Sequence, residues 1–157
     1  MADWVFQNAI VREQSFRDKS YQDAVGKFSS FLEVNLAYVQ MERGDFVGDG
    51  WEDCNLFGLQ LLDGRMEREE FLRCSMGNTR FERMELSGVR FCSVAFMGSV
   101  WRNVTIKKGK FKNCNFRGMC FIESVIEKTI FQGCVFDKMD MKGVTMSKVV
   151  FVDCVFL

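Results

Sequence analysis

Seven cysteines and no histidine set the first limit on the chemistry open to this chain of 157 residues. Without an imidazole, serine and cysteine triads that rely on a histidine base are excluded, and zinc sites lose their commonest nitrogen ligand. Cys54, Cys74, Cys114, Cys134 and Cys154 stand 20 or 40 residues apart, the spacing of a structural column. Stacked side chains that point the same way make poor disulfides, so these thiols are expected to be buried, reduced filler in a reducing compartment. Cys92 and Cys120 lie outside that phase and should face outward as the more reactive thiols. The adjacent acids Glu69 and Glu70, with Arg68 and Arg73 close by, read as surface salt links. Neither a phosphate-binding loop of the form G-x-x-x-x-G-K-S/T nor a G-x-G-x-x-G fingerprint is present. The expectation is a protein that is not an enzyme and takes no metal or cofactor.

The elements that position these residues follow from a repeat of five. From Met1 in steps of five to Phe156, 31 of 32 positions are apolar, and they hold 15 of the 17 phenylalanines. With 48% hydrophobic residues overall, chance would fill about half of them. A second phase, two residues earlier, is small or medium-sized and includes the five cysteines, Gly64, Thr79, Ser99 and Val104. A third, two residues after each large position, favours Gly, Asn and Asp, as in Gly48, Asp53, Asn78 and Gly98. These three tolerate positive φ at least cost, so a turn recurs every five residues.

A helix needs a period of 3.6 and a flat strand a period of 2, so a period of five requires a corner in each repeat. Four corners make a square coil of 20 residues. The coils Trp51-x-x-Cys54-x-Leu56, Phe71-x-x-Cys74-x-Met76, Phe111-x-x-Cys114-x-Phe116, Phe131-x-x-Cys134-x-Phe136 and Phe151-x-x-Cys154-x-Phe156 repeat at that super-period. At about 4.8 Å per coil, nearly eight coils make a rod roughly 35 to 40 Å long, with Phe stacked on Phe inside. In these residues the chain resembles the pentapeptide-repeat family. That resemblance implies an all-β fold, a right-handed quadrilateral parallel β-helix. The Phe-x-x-Cys-x-Phe style is similar to that of the quinolone-resistance proteins of the family, which resemble DNA in shape and charge and act on bacterial gyrase.

A single domain over residues 1–157 is expected, with irregular coils over about 1–45 and regular ones over about 46–157. Gly26 stands in a large-residue slot, while Phe28 and Tyr38 fall outside the inward phases, which predicts a bend or bulge between Tyr21 and Met41. Phe57, also off phase, is expected to project from an uncharged face as a partner anchor. The register runs cleanly into Phe151, Val155, Phe156 and Leu157. An apolar terminal coil leaves open strand edges, which a two-fold homodimer or a further capping segment would cover.

Zero net charge hides an asymmetry: residues 1–70 carry 14 acidic and 7 basic side chains, and residues 71–157 carry 7 acidic and 14 basic. An acidic half followed by a basic half gives the rod a dipole. The sharpest clusters are Glu42, Asp45, Asp49, Glu52 and Asp53 on one side, and Arg102, Lys107, Lys108, Lys110, Lys112 and Arg117 on the other. Both are candidate partner-binding sites. Because the basic belt encircles the rod without interleaved exposed aromatics, nucleic acid is not the expected partner. The functional expectation is a non-enzymatic protein acting through protein contacts, most concretely on a type II topoisomerase. The alternative is a structural scaffold or delivered effector module. No apolar run approaches the ~20 residues of a membrane span, and a cytoplasmic location is expected.

Overall fold

A chain that turns a corner every five residues must place one residue of each five in a conformation that reverses its course. In the computed structural model, which describes residues 3–157, every fifth residue from Asn8 to Asp153 has a positive φ, between 49° and 72°. The preference for Gly, Asn and Asp in the third phase is thus the mark of a left-handed residue at each corner. Phe28 and Tyr38 sit at two of these corners, with φ of 50° and 58°, and their rings point outward.

Between corners the chain runs in strands of two or three residues, and each strand pairs in parallel with its counterpart 20 residues away, as in Phe91 with Phe111. The first face is an eight-stranded sheet from Val5–Gln7 to Thr145–Ser147, and the second an eight-stranded sheet from Ile10–Arg12 to Val150–Val152. On the third face, single bridges link Ser15, Asn35, Asn55, Ser75, Ala95, Asn115 and Val135, and Val135–Phe136 pairs with Val155–Phe156. The fourth face has six strands from Ser20–Gln22 to Cys120–Ile122. The fold is therefore an all-β parallel solenoid of about eight coils. Among the described residues there is no helix, and none long and apolar enough to cross a membrane.

The large phase fills the interior. Down the second face, the rings of Phe71, Phe91, Phe111 and Phe131 stack at centroid distances of 4.8, 4.9 and 4.8 Å, with planes within 10° of parallel. A second column on the third face runs Phe96, Phe116, Phe136 and Phe156 at 5.0 to 5.1 Å. The coil rise of about 4.8 Å matches the preferred separation of offset aromatic rings. Phenylalanine therefore suits these columns, and Trp51 continues the second-face stack, parallel to Phe31 and Phe71.

The bend or bulge expected between Tyr21 and Met41 is not found. Gly26 pairs with Phe6 on one side and Phe46 on the other without a break in register. The space left by its missing side chain is taken by Asp49: a Cβ built on Gly26 would lie 2.7 Å from the Asp49 Oδ2 atom.

Candidate functional site

The five acids read as one exposed cluster are all engaged within the rod. Asp45 accepts from the Arg65 guanidinium at 2.7 Å, and Asp53 accepts from Arg73 at 2.9 Å, with Glu52 also on Arg73. Glu42 meets Arg43, which also reaches Asp23. Arg83 repeats the arrangement on Asp63. In each of these arginine–aspartate pairs the arginine sits 20 residues after the aspartate, on the next coil. The Arg73 hydrogen bond holds the Asp53 carboxyl below its ordinary range, and Arg83 does the same for Asp63. These groups are exposed, so each pair contributes little to stability.

Asp49 is not on the surface at all: it occupies the inner small phase and is buried. Glu69, expected among surface salt links, lies inside the next coil and is also buried. The Ser29 amide donates to Asp49 Oδ1 at 2.9 Å. The Asp49 amide donates to Glu69 Oε2 at 2.6 Å, and Trp51 Nε1 donates to Glu69 Oε1 at 3.0 Å. Asp49 Oδ2 has no N–H or hydroxyl donor among the described residues. Burial pushes Asp49 up to about 6. Burial, and then the Asp49 charge, push Glu69 further above the ordinary carboxylate range. Of the two, Glu69 holds its proton more tightly.

The same device recurs without charge. The Ala9 amide donates to Ser29 Oγ, the Thr79 amide to Ser99 Oγ, the Val104 amide to Ser124 Oγ and the Gly109 amide to Thr129 Oγ1. A polar residue in the inner phase thus satisfies the backbone N–H of the coil before it. That rule was available in the sequence as polar residues at inner positions, and it identifies Asp49 and Glu69 as interior groups.

The basic cluster differs from the acidic one. Arg102 lies on the fourth face, Lys107 and Lys108 on the first face and its following corner, Lys110 and Lys112 on the second, and Arg117 on the third. All six are exposed. Every ion pair within 4.0 Å among the described residues is made by an arginine, and neither Arg102 nor Arg117 is among them.

Phe57 is half-buried, because it packs edge-on to Tyr38 at 5.7 Å and over the backbone of Gly77. Tyr38 in turn lies over Gly58 and receives the Arg17 guanidinium at 5.1 Å from its centroid. This corner cluster extends across several coils and leaves Phe57 less free than a lone anchor. At the far end, Phe151 and Val155 are exposed, as are Phe156 and Leu157 at 63% and 71%. Phe151, Phe156 and Leu157, with Met139, Met141 and Met146, border a recess of about 300 Å³.

Cys54, Cys74, Cys114 and Cys134 are buried and free, and Cys154 is half-buried. Contact with the Cys54 thiol and then burial push Cys74 up, and Cys134 and burial act likewise on Cys114. Cys92 and Cys120 are partly exposed. Among the described residues no group of three or more cysteine or acidic side chains is placed to hold a metal ion.

No family model matches the chain, and no curated protein does. Solved structures do. HetL, a pentapeptide-repeat protein involved in heterocyst differentiation regulation from Nostoc sp. strain PCC 7120, is similar at 10% identity over 96% of this chain and 88% of its own, with a TM-score of 0.36. QnrB1, a plasmid-mediated fluoroquinolone resistance protein, is similar at 12% identity over 89% and 90%, with a TM-score of 0.38. Rfr23, a pentapeptide-repeat protein from the cyanobacterium Cyanothece 51142, is similar at 10% identity over 91% of each chain, with a TM-score of 0.33. The likeness is one of fold. The coordinates themselves, with one corner every five residues and four to a coil, give this chain the fold of a pentapeptide-repeat protein.

Proposed function

We propose that this chain is a non-enzymatic rod that acts through protein–protein contacts. One observation carries the reading: a continuous packed core runs from Trp4 to Phe136, so the groups within reach of another molecule lie on outer faces, corners and the open end. A partner meets short flat sheets and tight turns, which suit docking better than they suit enclosing a small substrate. The most concrete version is a modulator of DNA gyrase or another type II topoisomerase. It rests on the resemblance of the Phe-x-x-Cys-x-Phe coils to those of quinolone-resistance proteins and on the acidic first half of the rod. A homodimer through Phe151, Val155, Phe156 and Leu157 would place the basic halves centrally and point the acidic arms outward. The reduced inner cysteines suit a cytoplasmic location.

The second reading, a rigid scaffold or delivered effector module, is favoured by the ion pairs. Glu42, Asp45, Glu52 and Asp53 are neutralised by arginines, and Asp49 is interior. Less free negative charge is left to imitate a duplex than composition suggests. A gyrase supercoiling assay, with and without ciprofloxacin, separates the two. A change in supercoiling or in drug inhibition on adding the purified chain is expected of the topoisomerase version; no change in either rules it out and leaves the scaffold.

A further inference from the structure

Three lysines, Lys108, Lys128 and Lys148, occupy the same corner on successive coils, at left-handed turn positions with φ of 56°, 50° and 54°. Their backbones are tied together: the Lys108 amide donates to the Glu127 carbonyl at 3.0 Å and the Lys128 amide to the Ser147 carbonyl at 2.9 Å. Consecutive Cα atoms in such a column lie about 4.8 Å apart. Three ammonium groups stacked at that interval repel one another. Among the described residues no carboxylate lies within 4.0 Å of any of them, whereas the arginines of the earlier coils sit on aspartates.

Beside this column runs a second row, on the second face. Lys110, Ile130 and Val150 are paired in register on neighbouring strands, and all three are exposed, Ile130 at 42% and Val150 at 51%. One inner residue separates each corner lysine from its neighbour in this row. Over residues 105–112, 125–132 and 145–152 the chain has six lysines and one carboxylate, Glu127. The result is a short apolar strip bordered along one side and at one end by unpaired cations.

We propose that this strip and its lysine border form a docking surface for an acidic segment of a protein partner, one that carries aliphatic side chains between its carboxylates. The proposal rests on the reading of the rod as a protein-docking module and names the chemistry of one surface on it. Carboxylates placed over the lysine column relieve its internal repulsion, and aliphatic groups cover Ile130 and Val150. An apolar centre with a charged rim is the usual build of a protein interface. A phosphate backbone would satisfy the lysines but leave the apolar strip bare, and among the described residues the one exposed aromatic of the second face, Phe151, belongs to the inner ring column, stacked on Phe131.

The test uses the full chain and three fluorescent probes: an alternating glutamate–leucine peptide of about 12 residues, an all-glutamate peptide of equal length and a DNA duplex of about 20 base pairs. Anisotropy titrations should show the mixed peptide binding at least about tenfold tighter than either other probe. Lys108→Glu, Lys128→Glu and Lys148→Glu together should weaken mixed-peptide binding about tenfold or more. Ile130→Ser with Val150→Ser should weaken it similarly while leaving all-glutamate binding unchanged. Because all five positions are exposed, unchanged thermal melts should show that the variants fold. Duplex binding as tight as that of the mixed peptide, or indifference of the mixed peptide to either set, would overturn the proposal. If the mixed peptide fails while the chain still alters gyrase, this surface alone is wrong and the docking rod stands.

Discussion

The amide of Asp49 donates to the Glu69 carboxyl at 2.6 Å, joining two buried acids on successive coils. Both groups hold protons more tightly when folded than when unfolded. As pH rises above about 4, the unfolded chain releases these protons first, so unfolding gains and stability falls. Asp53 and Asp63 act oppositely, since Arg73 and Arg83 depress them, and their contribution is lost as pH falls through the folded value. The melting temperature should therefore peak near about pH 5 and decline from there toward pH 8. Glu69→Gln should flatten the decline; a wild-type curve already flat between these values would contradict the upward shift of the two buried acids.

Gly26 and Asp49 form one unit, because the carboxyl fills the place of the absent side chain. Gly26→Ala would put a methyl against Asp49 Oδ2 and the Phe46 ring, and should cost about 1–3 kcal/mol in urea unfolding. Combined with Asp49→Ser, the same methyl should cost less, and additive costs in the double-mutant cycle would show that the two sites do not interact.

The five-residue phase, the corners and the aromatic columns were legible because each depends on one residue type recurring at one backbone state. The interior acids were not, since charge at an inner position looks like an exception until the preceding coil's amide is counted. Phe28 and Tyr38 stand off the inward phases without disturbing the coil. They are ordinary corner residues with large side chains, and their rings cover Gly48 and Gly58 on the next coil. Ion pairs were hidden for a different reason: Asp23 and Arg43 are 20 residues apart in sequence and meet only once coils stack.

Phe111 is fully buried between Phe91 at 4.9 Å and Phe131 at 4.8 Å. Phe111→Ala should cost about 3–5 kcal/mol, because flanking rings held by their own coils cannot close the hole. Arg80→Ala on the exposed fourth face should change stability by less than about 0.5 kcal/mol. Equal urea midpoints for the two would mean that the ring column is not a principal source of stability.

The cysteine column sharpens a sequence-based expectation. A serine at Cys114 would bury a hydroxyl, and the Cys114 thiol already points at two acceptors for it, the Phe91 and Lys112 carbonyls. Ser124, in the corresponding inner phase, donates to the Ile122 carbonyl at 3.0 Å. Cys114→Ser should therefore cost only about 1 kcal/mol. Iodoacetamide should label Cys92 and Cys120 well before Cys54, Cys74, Cys114 and Cys134 in mass-spectrometric time courses. Early labelling of the buried four would show that the coils open readily.

Assembly is the last consequence. Phe156 stacks on Phe136 at 5.0 Å through one ring face and is 63% exposed, and Leu157 beside it is more exposed still. A two-fold axis through this coil would cover both copies' open rings and the recess between them, with the area gained twice for one contact. The basic halves meet at such a junction, but at physiological salt a screening length of about 8 Å weakens their repulsion while leaving short-range apolar contact intact. Phe156→Asp with Leu157→Lys should abolish the association and leave a folded monomer. Sedimentation equilibrium at concentrations on the order of tens of micromolar distinguishes the outcomes. A dimer for the native chain and a monomer for the variant are expected, and a native chain already monomeric there would remove the dimer and, with it, the outward acidic arms on which the topoisomerase version depends.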